Sequence, residues 1–283
     1  MSLRINYNLA SSVAQRSLAA SQATYAREAE RLATGRRINR ASDDGAGMAV
    51  SERLKNQVRG LTVAHRNAQD GISLVRTAEG AMGEAHALLA RMRELAVQAA
   101  NDTINNTDRL NIKAEFDSLS AEIDRMANAT QFNGVAILTG GSTAMSIQIG
   151  ANTNNPATND NVFVLNVTPA GNFYVSTLSP TMTSIGITSQ ALANVAISSL
   201  DYAINAVSTA RTSVGTIESR LESVTRTLST AIENAAAANS RIADTDMAQS
   251  MSELVRNQIL QQAGISVLAQ ANQAPALVLQ LLK

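Results

Sequence analysis

Two histidines (His65, His86), the acidic turn Asp43-Asp44-Gly45-Ala46-Gly47 and the charged cluster Arg91-Met92-Arg93-Glu94 are the groups whose types and spacing could carry chemistry. The histidines fall on one expected helix about six turns apart, too far to share a metal ion. No HExxH occurs, so the helical zinc-peptidase pattern is missing. A phosphate loop at Asp43–Gly47 would need a Lys-Ser/Thr pair and a preceding strand, and the sequence supplies neither. The simpler reading is a turn and a helix start, with Ser42 as N-cap and two carboxylates in the first turn. The Arg91–Glu94 cluster has two readings: a solvated face with local ion pairs, or a contact patch for a partner. Asn-x-Thr sequons stand at Asn101, Asn105, Asn128 and Asn166. No nucleophile–base pair, metal set or cofactor motif emerges, so the chain is expected to be no enzyme and to need no cofactor.

Composition points the same way. Cysteine and tryptophan are absent and there are four Phe and four Tyr, yet 45% of the residues are hydrophobic. The apolar mass is therefore Ala, Leu, Ile, Val and Met, which suits helix seams better than one thick core. The formal net charge is zero, which argues against a nucleic-acid surface. Lacking cysteine, the chain has no disulfide or thiolate chemistry. The start, Met1 to Ala10, shows no apolar stretch of the Sec-signal kind. From Asn257 to Leu282 no charge occurs, but Gln258, Gln261, Gln262, Gln270, Asn272, Gln273, Gln280 and Pro275 make a membrane span an unfavourable reading.

The elements that must position these residues are mostly helices. In Ser189–Ser240, Leu200, Val207, Val214, Leu221, Leu228 and Ala235 are spaced by seven, and Ala203, Ala210, Ile217, Val224, Ala231 and Ala238 follow at three. Both seam tracks of a coiled coil are apolar there. Upstream, Leu61, Ala68, Val75, Met82, Leu89 and Ala96 form one track; Ala64, Gly71, Ala78, Ala85, Met92 and Ala99 form the other. Gly71 and the alanines would let a partner backbone come close. A continuous helix from Ser42 to Asn101 would span about 90 Å. A third helix follows the break at Asn101–Asn106, with Thr107 as the expected N-cap and Asp108 in its first turn.

Between residues 131 and 188 lie turn residues (Gly140-Gly141, Pro156, Pro169, Pro180) and short strand-like runs: Met145–Ile149, Val162–Val167 and Phe173–Val175. The terminal segments carry apolar stripes: Leu18, Tyr25 and Leu32 near the start, and Met251, Val255, Ile259, Val267, Val278 and Leu282 near the end. Neither segment can bury its stripe alone. The fold class is thus mainly α: a long antiparallel helical-bundle or coiled-coil rod with a small β-hairpin-rich middle. The terminal stripes are expected to form an assembly seam.

Several stretches resemble bacterial flagellins. Leu32-Ala33-Thr34-Gly35-Arg36-Arg37-Ile38-Asn39, with Ala41-Ser42-Asp43-Asp44-Gly45-Ala46-Gly47-Met48-Ala49, is similar to the N-terminal signature of that family. Arg91 to Asn101 looks like its first-domain core helix, and Gln131-Phe132-Asn133-Gly134 like the start of its β region. Ser240 to Ala248 and Gln258 to Gln273 resemble its C-terminal signature. The resemblance implies an extracellular filament subunit, exported by the flagellar type III route, that polymerises with its own kind for swimming motility. It implies an inner helical domain from residues 1–42 and 241–283. The outer rod domain would comprise 43–188, with its β-rich segment at 131–188, and the helix 189–240. It further implies contact with the flagellar export chaperone, the cap and the hook-junction proteins. Arg91, Glu94, Leu95 and Gln98, with Glu115 from the next helix, match the pattern read by the flagellin-sensing Toll-like receptor of animals. Two other readings stay open from the sequence: a hook–filament junction protein, and a coiled-coil adaptor or export chaperone.

Overall fold

The computed structural model describes residues 7–139, 145–153, 161–165, 173–178 and 187–281, with the side chains of Ser176 and of 274–281 left aside. Gly140-Gly141, Pro156, Pro169, Pro180, the Val278 side chain and Leu282 lie outside the described residues. In chain order the elements are α1 (Leu9–Thr34), α2 (Gly45–Ala99), α3 (Asn106–Ala129), β1 (Gln131–Phe132), β2 (Val135–Ala136), β3 (Met145–Gln148), β4 (Val162–Leu165), α4 (Val175–Leu178), α5 (Gln190–Ala243) and α6 (Met247–Leu281). Two compact units result: Met1–Val58 with Asn234–Lys283, and Arg59–Glu233.

In the unit Arg59–Glu233, the heptad tracks make the core. Val75, Ala78, Met82, Ala85, Leu89 and Met92 of α2 are buried, as are Leu200, Ala203, Val207, Val214 and Leu221 of α5. The two helices run antiparallel, since Arg76 pairs with Glu218 at 2.7 Å and Arg93 with Asp201 at 2.7 Å. Phe116, Ile123 and Ala127 of α3 close a third side. Gly71 does serve close approach. A Cβ there would run into Ile147 Cδ1 of β3, and one at Gly60 would stand 2.8 Å from the Ala151 Cβ. The segment received by these two glycines is the β3 strand and the residues just after it.

The two hairpins are small. β1 and β2 pair across Asn133-Gly134, both at positive φ (49° and 77°), the geometry of a two-residue hairpin turn. β3 and β4 pair antiparallel in the register Met145↔Leu165 to Gln148↔Val162.

Three local expectations are corrected. The N-cap of α2 is Asp44, whose Oδ1 accepts the Gly47 N–H at 2.8 Å, and not Ser42. The N-cap of α3 is Asn105, whose Oδ1 accepts the Asp108 N–H at 2.8 Å, and not Thr107. Both places offer several cap-competent residues in a row, and the longer Asx side chain nearest the first turn wins. Phe173–Val175 is no strand: Val175 opens α4, because Asp124 Oδ1 of α3 accepts its N–H at 2.9 Å. The α2–α3 corner is held by the buried Arg109, which donates to the carbonyls of Ala99 and Asn101, each at 3.0 Å. These are orphan acceptors at a helix end, satisfied by a cation.

The unit Met1–Val58 with Asn234–Lys283 is built on α1 packed against α6. Gly35, at φ 67°, ends α1 in the left-handed conformation. The two connectors lie side by side: Arg37 N–H donates to Ala243 O at 2.8 Å and Thr245 N–H to Gly35 O at 3.1 Å. Asp246 then starts α6, its Oδ1 accepting the N–H groups of Ala248 and Gln249 at 2.9 and 3.1 Å.

Candidate functional site

The α1–α6 pair has an unusual distribution of polarity. It is antiparallel: Asn8 Nδ2 donates to Ala271 O at 2.8 Å, and Ser21 Oγ donates to Asn257 O at 3.3 Å. The residues of α1 turned inward are Ser11, Ala14, Leu18, Ser21, Tyr25, Glu28 and Leu32, alternating by three and four. Those of α6 are Ser250, Leu254, Asn257, Gln261, Gly264, Leu268 and Ala271, with the same alternation. Ser11, Glu28, Ser250 and Asn257 are the buried ones. A Cβ on Gly264 would lie 3.4 Å from Leu18 Cδ1, an ordinary contact. Glu28 keeps its charge paired inside the seam through Arg31, at 2.7 Å.

The stripe predicted on α6 points elsewhere. Met251, Val255, Ile259 and Val267 are 51%, 46%, 60% and 57% exposed. Leu260 and Ile265 on α6, and Leu9 and Val13 on α1, are exposed as well. Of the predicted seam residues, Leu18, Tyr25 and Leu32 lie in the α1–α6 interface, while Met251, Val255, Ile259 and Val267 face out. α6 carries apolar residues on more than one side, and one partner helix covers only one side of it.

The charged cluster is a three-helix knot of ion pairs. Arg91 donates to Glu115 Oε1 of α3 at 2.9 Å and to Glu94 Oε2 at 2.9 Å. The hydrogen bond to Glu115, then that to Glu94, raises its pKa above the ordinary guanidinium value. Arg93 reaches across to Asp201 of α5, and that bond raises its pKa likewise. Gln98 is exposed one turn further along α2. Leu95 differs from the other candidates: it is 2% exposed, inside the core, and supports the face from below. It faces the same core as Met92 and Ala99. Arg91, Glu94 and Glu115 are thus brought together, Gln98 flanks them, and Leu95 is withdrawn as a direct contact in the isolated chain. Such exposed pairs contribute little to stability.

The remaining groups have structural surroundings. No cluster of three metal-ligating side chains occurs among the described residues. The Nδ1 of His86 is buried with no hydrogen-bond partner among them. An open cleft of about 510 Å³ lies between β4 and α5, floored by Ile149, Phe163, Val224 and Leu228, with the Arg220 guanidinium 4.7 Å above the Phe163 ring. Its lining holds no carboxylate or imidazole to activate Ser223 or Thr227. No described helix is long and apolar enough to cross a membrane.

Asp43 has a definite task. Its Oδ2 accepts the N–H groups of Arg40 at 3.0 Å and Asn39 at 3.2 Å. Those two bonds, with Arg31 and Arg27 nearby, hold its pKa below the ordinary 3.8. A carboxyl depressed by folding stabilises the fold fully above its unfolded pKa, and that contribution is lost as pH falls through the lower folded value. The connector is therefore expected to loosen only below pH 3.8. Amide protection factors at Asn39 and Arg40 should fall there, and an Asp43→Asn variant should lose the pH step.

Comparison with known proteins decides the family. The bacterial flagellin N-terminal helical region matches residues 5–143 and the C-terminal helical region matches residues 197–282. The chain belongs to the bacterial flagellin family. A flagellin of Halalkalibacterium halodurans is 42% identical over 99% of both chains. A flagellin of Bacillus subtilis (strain 168) is 39% identical, over 99% of this chain and 100% of its own. Flagellin FlaB2 of Treponema pallidum is also 39% identical, over 99% of both. A solved structure described as a flagellar hook-associated protein, from Vibrio parahaemolyticus, covers 71% of this flagellin and 100% of its own chain, with TM-score 0.59. At 14% identity that likeness concerns the fold alone. The hook–filament junction and adaptor readings therefore give way to flagellin.

Proposed function

We propose that this flagellin polymerises by burying the outward face of α6 against further copies of itself, the α1–α6 pair forming the inner helical domain. As a flagellin it is a structural subunit of the bacterial flagellar filament, which lies outside the cell. The observation that carries the reading is the apolar surface the pair leaves open: the intramolecular seam mixes Leu18, Tyr25, Leu32, Leu254 and Leu268 with small and polar residues, while Met251, Val255, Ile259 and Val267 face out. Apolar surface left open in one subunit is a driving force for association. We assign residues 43–188 and 189–240 to the outer rod domain. Its further partners in this reading are the export chaperone, cap and hook-junction proteins. A chain lacking 250–283 should stay soluble and fail to elongate on filament seeds, as seen by electron microscopy. Normal filaments from that truncation would contradict the reading.

The exposed constellation of Arg91, Glu94 and Glu115, flanked by Gln98, supports a second role as the surface read by the flagellin-sensing Toll-like receptor. Leu95 is left out of the test because its replacement would disturb the core. An Arg91→Ala, Gln98→Ala double variant should lose about tenfold or more in monomer-driven receptor signalling, a change in binding of about 1.4 kcal/mol. Undiminished signalling would refute the assignment.

A further inference from the structure

We infer that Met247 and Met251 form an oxidant-sensitive site that controls whether a subunit can join the assembly, an inference resting on the assembly reading above. The chain has nine methionines and no cysteine, so thioethers are its only sulfur groups. Met82 and Met92 are sealed in the core, at 0% exposure each. Met48, Met126 and Met145 are partly buried. Met247 and Met251, four residues apart at the start of α6, are 50% and 51% exposed. Met251 leads into the outward residues Val255 and Ile259, and Met247 stands exposed one turn before it, so the first turns of α6 present both sulfurs beside the surface that a neighbouring copy would cover.

The chemistry is that of hydrogen peroxide. The thioether lone pair attacks one peroxide oxygen, the O–O bond breaks, and the proton on the attacked oxygen passes to the departing hydroxide. Sulfur gains that oxygen as a sulfoxide, and the other oxygen leaves as water. Sulfur is oxidised by two electrons and peroxide is reduced by two. The product is a strong hydrogen-bond acceptor on a formerly apolar side chain. Within an apolar contact it has no donor, so burial that favoured association now opposes it. A subunit already in the filament has the stripe covered, and its sulfurs are shielded from the oxidant. Sensitivity therefore belongs to the free subunit and not to the polymer.

The test compares free subunits and filaments treated with dilute hydrogen peroxide. Peptide mass spectrometry reads the oxygen gained at each methionine, and seeded elongation reads assembly. In the free subunit, Met247 and Met251 should oxidise about tenfold faster than Met82 and Met92, and in filaments this advantage should vanish. Oxidised subunits should elongate about tenfold more slowly, and methionine sulfoxide reductases should restore the rate. A Met247→Leu, Met251→Leu variant should elongate equally well with and without peroxide. Unchanged elongation after both sulfurs are oxidised would overturn the inference while leaving the assembly reading intact. Equal peroxide sensitivity in the double-leucine variant would overturn it too. Failure of untreated subunits to elongate would sink the assembly reading and this one with it.

Discussion

Replacing Val255 and Ile259 by aspartate is expected to abolish filament growth and leave the isolated chain folded. Both side chains are exposed in the single subunit, at 46% and 60%. Surface substitutions of this kind change stability by about 0.5 kcal/mol, and valine, isoleucine and aspartate have similar helix propensities. In the proposed assembly the same positions lose water. An unpaired carboxylate there costs several kcal/mol, and about 1.4 kcal/mol is already a factor of ten in affinity. Thermal melts followed by circular dichroism should therefore shift little. Elongation on seeds, followed by light scattering, should fall below detection. A variant that elongates normally would mean that this stripe is not a subunit contact.

The second large effect is expected inside the unit Arg59–Glu233. Val214 is 0% exposed, in the middle of α5 and of the core shared with α2. Proline there removes the hydrogen bond to the carbonyl one turn earlier and collides with that turn, a cost of about 3 kcal/mol or more. Domains are commonly stable by only about 5–15 kcal/mol, so the loss is a large fraction of the total. Val214→Pro should lower both the melting temperature and the helical signal, and urea titration should give an earlier midpoint. A melting temperature equal to that of the parent would show that α5 is not the continuous core helix described above.

The parts of this structure legible in the sequence are those set by one strong periodic signal. The tracks through Val207 and Val214 on α5, and through Val75 and Met82 on α2, are apolar against polar flanks, so only one face can turn inward. At Gly71 the sequence marks a close approach, but the space is taken by the Ile147 side chain of β3 and not by the backbone of a partner helix. The seam face of α6 was not legible, for two reasons. The helix carries Leu254 and Leu268 on one side and Val255, Ile259 and Val267 on another, so apolarity alone does not choose a face. A line of residues taken every fourth position also drifts by about 40° per step around a helix of 3.6 residues per turn. A paired helix instead alternates threes and fours, as Ser250, Leu254, Asn257, Gln261 and Gly264 do.

The candidate receptor patch was legible for the same reason in part. Arg91, Glu94 and Gln98 sit outside the heptad core, and a match of residue types located them. Leu95 has the same motif membership and the opposite burial, and it lies off the two heptad tracks that mark the core in the sequence. The start of α4 depended on Asp124, fifty-one residues away in sequence, and no local pattern signals a cap from so far.

Absence of cysteine makes a direct measurement available, because any thiol introduced will be the only one. Ile259→Cys places it on the outward stripe and Asn257→Cys on the α1 seam. The rate of modification by a water-soluble maleimide is to be read in free subunits and in filaments. The expected result is fast labelling at 259 in the free subunit and strong protection in the filament, with 257 slow in both. Labelling at 259 as fast in the filament as in the free subunit would contradict burial of this face by assembly.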